Sequence, residues 1–99
     1  MTAQIQLSEG MLRVSGELDA KTVPQLLSDS VGLFKQAGEQ VNIDLADVSR
    51  ADSSGLALLI DWMRTARQNQ QQLTFRRLPT QLLEMARVSG IEDLLPLSK

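Results

Sequence analysis

The feature that most restricts how this chain can fold is a change of apolar period in its middle. Val41, Ile43 and Leu45 alternate with Asn42 and Asp44, the two-residue repeat of a strand with one buried face. Asp52-Ser53-Ser54-Gly55 follows, and from Leu56 onward the apolar residues recur at helical spacing. A strand that passes through a short turn into a helix feeds a right-handed crossover, so the next strand is expected to pair in parallel.

The segments on either side extend the same pattern. Ile5 and Leu7 alternate, Glu9-Gly10 reads as a turn, and Leu12 and Val14 alternate again before Gly16, which predicts a hairpin. Thr22 and Pro24 open a helix whose Val23, Leu27, Val31 and Phe34 are expected to face a sheet until Gly38 stops it. Leu73-Thr74-Phe75 forms a strand after the polar stretch Gln68 to Gln72. Thr80 then opens a third helix with Leu82, Met85, Ala86 and Ser89 facing inward and Gly90 as its stop. Ile91, Leu94 and Leu95 are expected to pack a short tail back onto the domain before Pro96. The order is β-β-α-β-α-β-α, an α/β fold with a mixed four-stranded sheet packed by three helices. With 99 residues and no linker-like stretch, one domain over 1–99 is expected.

Composition removes several classes of chemistry. The chain has no histidine and no cysteine, so Ser-His and Cys-His pairs and the usual zinc ligand sets cannot be assembled from it. A formal net charge of -2 argues against a broad nucleic-acid footprint, and the basic pair Arg76-Arg77 reads as a solvated strand end rather than a phosphate-binding patch. Asp44, Asp47 and Asp52 fall on a strand end, a turn and a loop, a spacing that does not imply convergence on a cation. Glu17 and Asp19 read as loop acids. No catalytic residue, metal or cofactor is expected. The N-terminus lacks a basic region followed by a long apolar stretch, and the longest aliphatic run is Leu56 to Ile60. A cytoplasmic protein without membrane insertion is the expectation.

The turn itself is the candidate site. Ser53 can cap the following helix, and a phosphate added there would meet free N–H groups and the positive end of the helix dipole. At ~100° per residue, Leu56, Leu59, Ile60, Met63 and Ala66 share one sector and are expected in the core. Ser54, Leu58, Asp61, Trp62 and Thr65 share another, which mixes hydroxyls, an acid and two large apolar side chains beside the turn. That composition suits a protein-binding face. Packing of Leu58 and Trp62 under neighbouring loops is the competing reading, since tryptophan usually buries much of its area.

Gly16-Glu17-Leu18-Asp19, with Ile43-Asp44-Leu45 and Asp52-Ser53-Ser54-Gly55-Leu56 at this separation, resembles the STAS domain of anti-sigma-factor antagonists and their relatives. The resemblance spans nearly the whole chain. It implies a mixed sheet with helices on one side, a regulatory phosphorylation position at Ser53, and Asp19 as an acidic neighbour of the turn, with Asp52 and Gly55 flanking the serines. Leu56-Ala-Leu-Leu-Ile, Leu78-Pro79 and the stretch Leu82 to Pro96 further resemble the STAS subunits of Mla-type phospholipid-transporting ABC complexes, and the chain stops soon after its third helix as those subunits do. That branch implies a non-catalytic subunit, peripheral at the inner membrane, that binds the transporter ATPase beside permease and lipid-binding subunits. Ser53, Ser54, Leu58, Asp61, Trp62 and Thr65 would supply the contact, and Ser53→Glu would weaken it. The second branch implies partner switching, in which an anti-sigma kinase is captured by the unphosphorylated protein and released on phosphorylation of Ser53. Asp-Ser-Ser-Gly is at home in both.

Overall fold

A computed structural model describes residues 3–98; residues 1, 2 and 99 of the expected domain lie outside the described residues. The elements are β1 (Ala3–Ser8), β2 (Met11–Leu18), α1 (Val23–Ala37), β3 (Gln40–Ala51), α2 (Ser53–Gln68), β4 (Gln72–Arg76) and α3 (Thr80–Val88), followed by a 3-10 turn at Glu92–Leu94. The strands form one sheet in the order β1-β2-β3-β4. β1 and β2 are antiparallel, whereas β2 with β3 and β3 with β4 are parallel, as the strand-turn-helix pattern requires.

Local chemistry accounts for the connections. Glu9 and Gly10 both have positive φ, 54° and 76°, the twist of a two-residue turn that lets Ser8 pair with Met11. Gly38 ends α1 at φ 80°. The tail returns to the open edge of β4: Phe75 N–H donates to the Pro96 carbonyl at 2.8 Å and Ser98 N–H to the Phe75 carbonyl at 2.9 Å. The edge backbone of Phe75 is thereby paired.

Leu12, Val14 and Leu18 of β2, Val41, Ile43, Leu45 and Val48 of β3 and Phe75 of β4 bury one face of the sheet under the three helices in a single cluster. Fully burying each leucine removes a side chain worth about 2 kcal/mol from water. The opposite face carries Gln4, Gln6, Arg13, Asn42, Asp44, Thr74 and Arg76 at the alternate positions.

Three packing expectations change. β3 runs to Ala51, well past Leu45, because two register shifts against β2 absorb extra residues. Asp44 is therefore a mid-strand residue, and its Oδ1 accepts the Ala46 N–H at 3.0 Å where the first shift interrupts the ladder. On α1 the inward stripe is Val23, Leu26, Ser30 and Phe34, while Val31 is 54% exposed. Ser30 occupies an interior place because its hydroxyl donates to the Leu27 carbonyl at 2.8 Å and accepts the Trp62 indole N–H at 3.0 Å, leaving neither buried polar group unpaired. On α3, Leu82 and Ala86 are buried, Met85 is half-buried and Ser89 is exposed.

Candidate functional site

The site lies where β2 and β3 end side by side. Leu18 pairs with Ala51 in the parallel register, and Asp52 N–H donates to the Leu18 carbonyl at 3.1 Å. Loop residues Asp19 and Asp52 are thus brought together from positions far apart in the chain. Asp19 closes its own turn: its Oδ1 accepts the N–H groups of Lys21 and Thr22 at 2.9 and 3.1 Å, while Thr22 Oγ1 donates to the Glu17 carbonyl at 2.6 Å. Desolvation pushes the Asp19 carboxyl up, but the hydrogen bonds from Thr22 and Lys21 and the Lys21 charge outweigh it and hold the group below its ordinary value.

The cap of α2 is Asp52, in place of the expected Ser53. Asp52 has extended backbone, and its Oδ1 accepts the Ser54 N–H at 2.8 Å. A carboxylate at this position also interacts favourably with the helix dipole, which explains why it takes the cap from the neighbouring hydroxyl. Ser53 becomes the first residue of α2. It is exposed, and its hydroxyl makes no hydrogen bond among the described residues.

Gly55 fixes how closely this turn approaches the rest of the domain. A Cβ there would lie 3.1 Å from the Leu18 Cβ, 3.2 Å from Leu82 Cδ2 and 3.3 Å from the Ala51 Cβ. Only glycine lets α2 start this close to β2 and α3 without displacing them.

Leu58 and Trp62 are corrected: both are fully buried and supply no contact area. The buried residues of α2 are Gly55, Leu56, Leu58, Leu59, Trp62 and Ala66, with the Trp62 ring 6.3 Å from that of Phe34. The expected core member Ile60 is 37% exposed and Met63 is half-buried. The reason is close packing at the start of α2: the helix approaches β2 and α3 tightly at Gly55, which turns the buried sector toward Leu58 and Trp62. Ser54, Asp61 and Thr65 are half-buried on the flank of α2 away from Leu56. Asp61 pairs there with Arg64 at 3.3 Å.

Sequence reasoning missed what α3 contributes. Gln81 Oε1 accepts the Ala51 N–H at 3.0 Å, tying α3 to the end of β3. Beside it a groove of about 510 Å³ runs between α2 and α3, with Ser53 and Leu56 on one wall and Glu84, Met85 and Val88 on the other. Val88 is 87% exposed, and an apolar residue off the inward stripe of α3 was the available signal. A smaller polar hollow of about 160 Å³ on the other side of the turn is lined by Glu17, Asp19, Arg50, Asp52 and Gln81. Among the described residues no group of three or more acids, histidines or cysteines is arranged to hold a metal ion.

A mixed sheet with helices on one face, and a hydroxyl-bearing turn at the paired ends of two parallel strands, define a STAS-type domain. The chain belongs to the STAS domain family: the family model described as "Mlab, STAS domain" matches residues 1–96. An anti-sigma-B factor antagonist of Staphylococcus epidermidis is 31% identical over 84 residues, covering 85% of this chain and 78% of the relative. One from Listeria monocytogenes is 30% identical over 83 residues, covering 83% and 72%. The anti-sigma factor antagonist SpoIIAA has the same fold. Its unphosphorylated form superposes with a TM-score of 0.70 at 21% identity, covering 98% of this chain and 88% of that one. The phosphorylated form of the Bacillus protein gives 0.68 at 20%, covering 98% and 91%.

These relatives overturn the transporter reading. The curated relatives from Staphylococcus epidermidis and Listeria monocytogenes are named as anti-sigma-B factor antagonists, so an Mla transporter ATPase is not the partner that this similarity supports, and placement at the inner membrane loses the argument it rested on. No helix among the described residues is long and apolar enough to cross a membrane.

Proposed function

We propose that this protein is an anti-sigma-factor antagonist: a binding protein without chemistry of its own that captures an anti-sigma factor through the Asp52–Gly55 turn, under control of phosphorylation at Ser53. The observation that carries this reading is the state of Ser53. It is exposed, it begins α2, and its hydroxyl is committed to no hydrogen bond among the described residues, while Asp52, Gly55 and Gln81 hold the backbone around it. Phosphorylation there breaks no fold contact. It places about two negative charges in a turn already carrying Asp52 and next to Asp19, and on the wall of the groove formed with Leu56, Met85 and Val88. A partner packed against that wall must then desolvate a dianion or leave. Ser54, Asp61 and Thr65 extend the contact along the flank of α2.

In the phosphoryl transfer, Ser53 Oγ would bond the γ-phosphorus of ATP as the bond to the β-phosphate oxygen breaks, releasing ADP and the hydroxyl proton. The test is incubation with the purified anti-sigma-factor kinase of the same genome and Mg-ATP, followed by peptide mass spectrometry and calorimetric binding. Phosphate on Ser53, its absence in Ser53→Ala, and at least about tenfold weaker binding by Ser53→Glu are expected. Tight binding by Ser53→Glu together with no phosphate on Ser53 would sink the proposal.

A further inference from the structure

A second site lies on the face of the sheet opposite the helices. Arg13, Asp44 and Arg76 pair across β2, β3 and β4 in one row, and Arg77 follows directly. Asp44 is buried with 3% of its side chain exposed, beneath Arg13 at 3.1 Å and a two-pronged contact from Arg77 Nε and Nη2. Arg77 has φ 54°, a left-handed conformation unusual for a residue with a side chain. Two guanidiniums are therefore held in place by one buried carboxylate, and each keeps donors that Asp44 does not use. Arg76 is exposed and forms no ion pair among the described residues.

Arg13, Arg76 and Arg77 line an open cavity of about 270 Å³, with Met11 as its apolar wall. Asp44 and Asp47, whose charge also acts on Arg77, offset only part of the three positive charges. On a chain of net charge -2, this leaves a local positive excess built from planar, multidentate donors, the geometry suited to a tetrahedral oxyanion. At ~3.3 Å per residue, Asp44 lies roughly 20 Å up β3 from Ala51, so the cavity is separate from the Ser53 turn. We infer that Met11, Arg13, Arg76 and Arg77 form a binding site for a phosphate group, as free phosphate or as the phosphate of a small organic ester whose stem lies on Met11.

The site is tested by titrating the isotope-labelled full chain at constant ionic strength with inorganic phosphate and, separately, with glycerol 3-phosphate. The backbone amides of Met11, Arg13, Arg76 and Arg77 are followed by NMR. Saturable shifts confined to these residues are expected, weakened roughly fivefold by Arg76→Ala and partly restored by Arg76→Lys, with Ser53→Ala binding as the parent does. Arg76 supports no buried group, so its replacement leaves the fold intact, and a thermal melt verifies this. Tighter binding of glycerol 3-phosphate assigns the organic ester, and equal binding assigns free phosphate. Shifts that stay linear, that chloride reproduces, or that Arg76→Ala leaves unchanged overturn the inference.

Discussion

Asp44 and Asp52 belong to the same stretch of chain, one inside β3 and one just past its end, yet they are held by opposite means. Asp52 is satisfied by a backbone N–H two residues away, and Asp19 beside it by N–H groups two and three residues away. Asp44 accepts the Ala46 N–H but depends mainly on two arginines, 31 and 33 residues distant. The locally held acids shape a turn whose chemistry faces outward. The acid held from a distance locks β2, β3 and the segment after β4 together. A carboxylate tied to its own backbone can serve recognition without loading the rest of the fold, whereas one tied to other strands carries part of the fold's stability.

The largest effect should come from Asp44→Ala. Removing it leaves Arg13 and Arg77 facing each other and the Ala46 N–H without its acceptor, at a cost of about 2 kcal/mol for charge-assisted hydrogen bonds, read as a lower urea midpoint. Asp44→Asn should recover only part of this, because an amide keeps an acceptor and loses the charge. Next comes Asp52→Ala, which removes the cap of α2 and should cost about 1 kcal/mol. Its effect should extend to partner binding, since the orientation of Ser53 depends on the same cap. Equal losses of binding in the Asp44 and Asp52 variants would break the contrast between the two acids.

Acid titration tests how Asp44 and Asp19 are held. Desolvation pushes the Asp44 carboxyl up, but the hydrogen bond and charge of Arg77, the Ala46 N–H and the charge of Arg13 prevail and hold it below its ordinary 3.8. Asp19 is lowered as well. A carboxyl whose folded value lies below its unfolded one stabilises the fold fully above the unfolded value, and that contribution is lost as pH falls through the folded value. Urea midpoints followed from neutral pH down to about pH 3 should therefore fall below pH ~4. Asp44→Asn should flatten that fall, and so should Asp19→Asn, because both carboxyls are held below their ordinary values in the fold. A steeper fall in Asp44→Asn than in the parent would contradict the assignment.

The same division explains what could be read from sequence. The element order, the parallel pairing and the stops at Gly38 and Gly90 follow from local period and turn chemistry, and the structure has them. The meeting of Asp19 with the Asp52 turn followed from family resemblance, and the register of Leu18 with Ala51 supplies its physical cause. Arg77 reads from sequence as a solvated strand end because its partner is 33 residues away. A helix wheel puts Leu58 and Trp62 on a binding face because it places residues by angle without their neighbours. The packing of α2 is set instead at Gly55, where β2 and α3 come close. The indole N–H of Trp62 finds its acceptor on Ser30, a residue that pattern alone would leave outside. The contribution of α3 through Gln81 and Val88 depends on how α3 docks, which period does not encode.

The smallest expected effect sharpens the contrast most. Ser53→Ala removes a hydroxyl that makes no hydrogen bond among the described residues, and should shift stability by no more than about 0.5 kcal/mol. Had Ser53 been the cap, the same change would cost roughly twice that or more. A near-zero result, set against the loss in Asp52→Ala, would establish that cap and hydroxyl are divided between adjacent residues. That division matters for control. If the capping oxygen were also the modified one, each phosphorylation would remove a helix contact and be opposed by the folding free energy of α2. Under the proposed function, with Asp52 holding the cap, a phosphate added to Ser53 would leave the turn folded, and its charge would reach the partner without being absorbed by the domain.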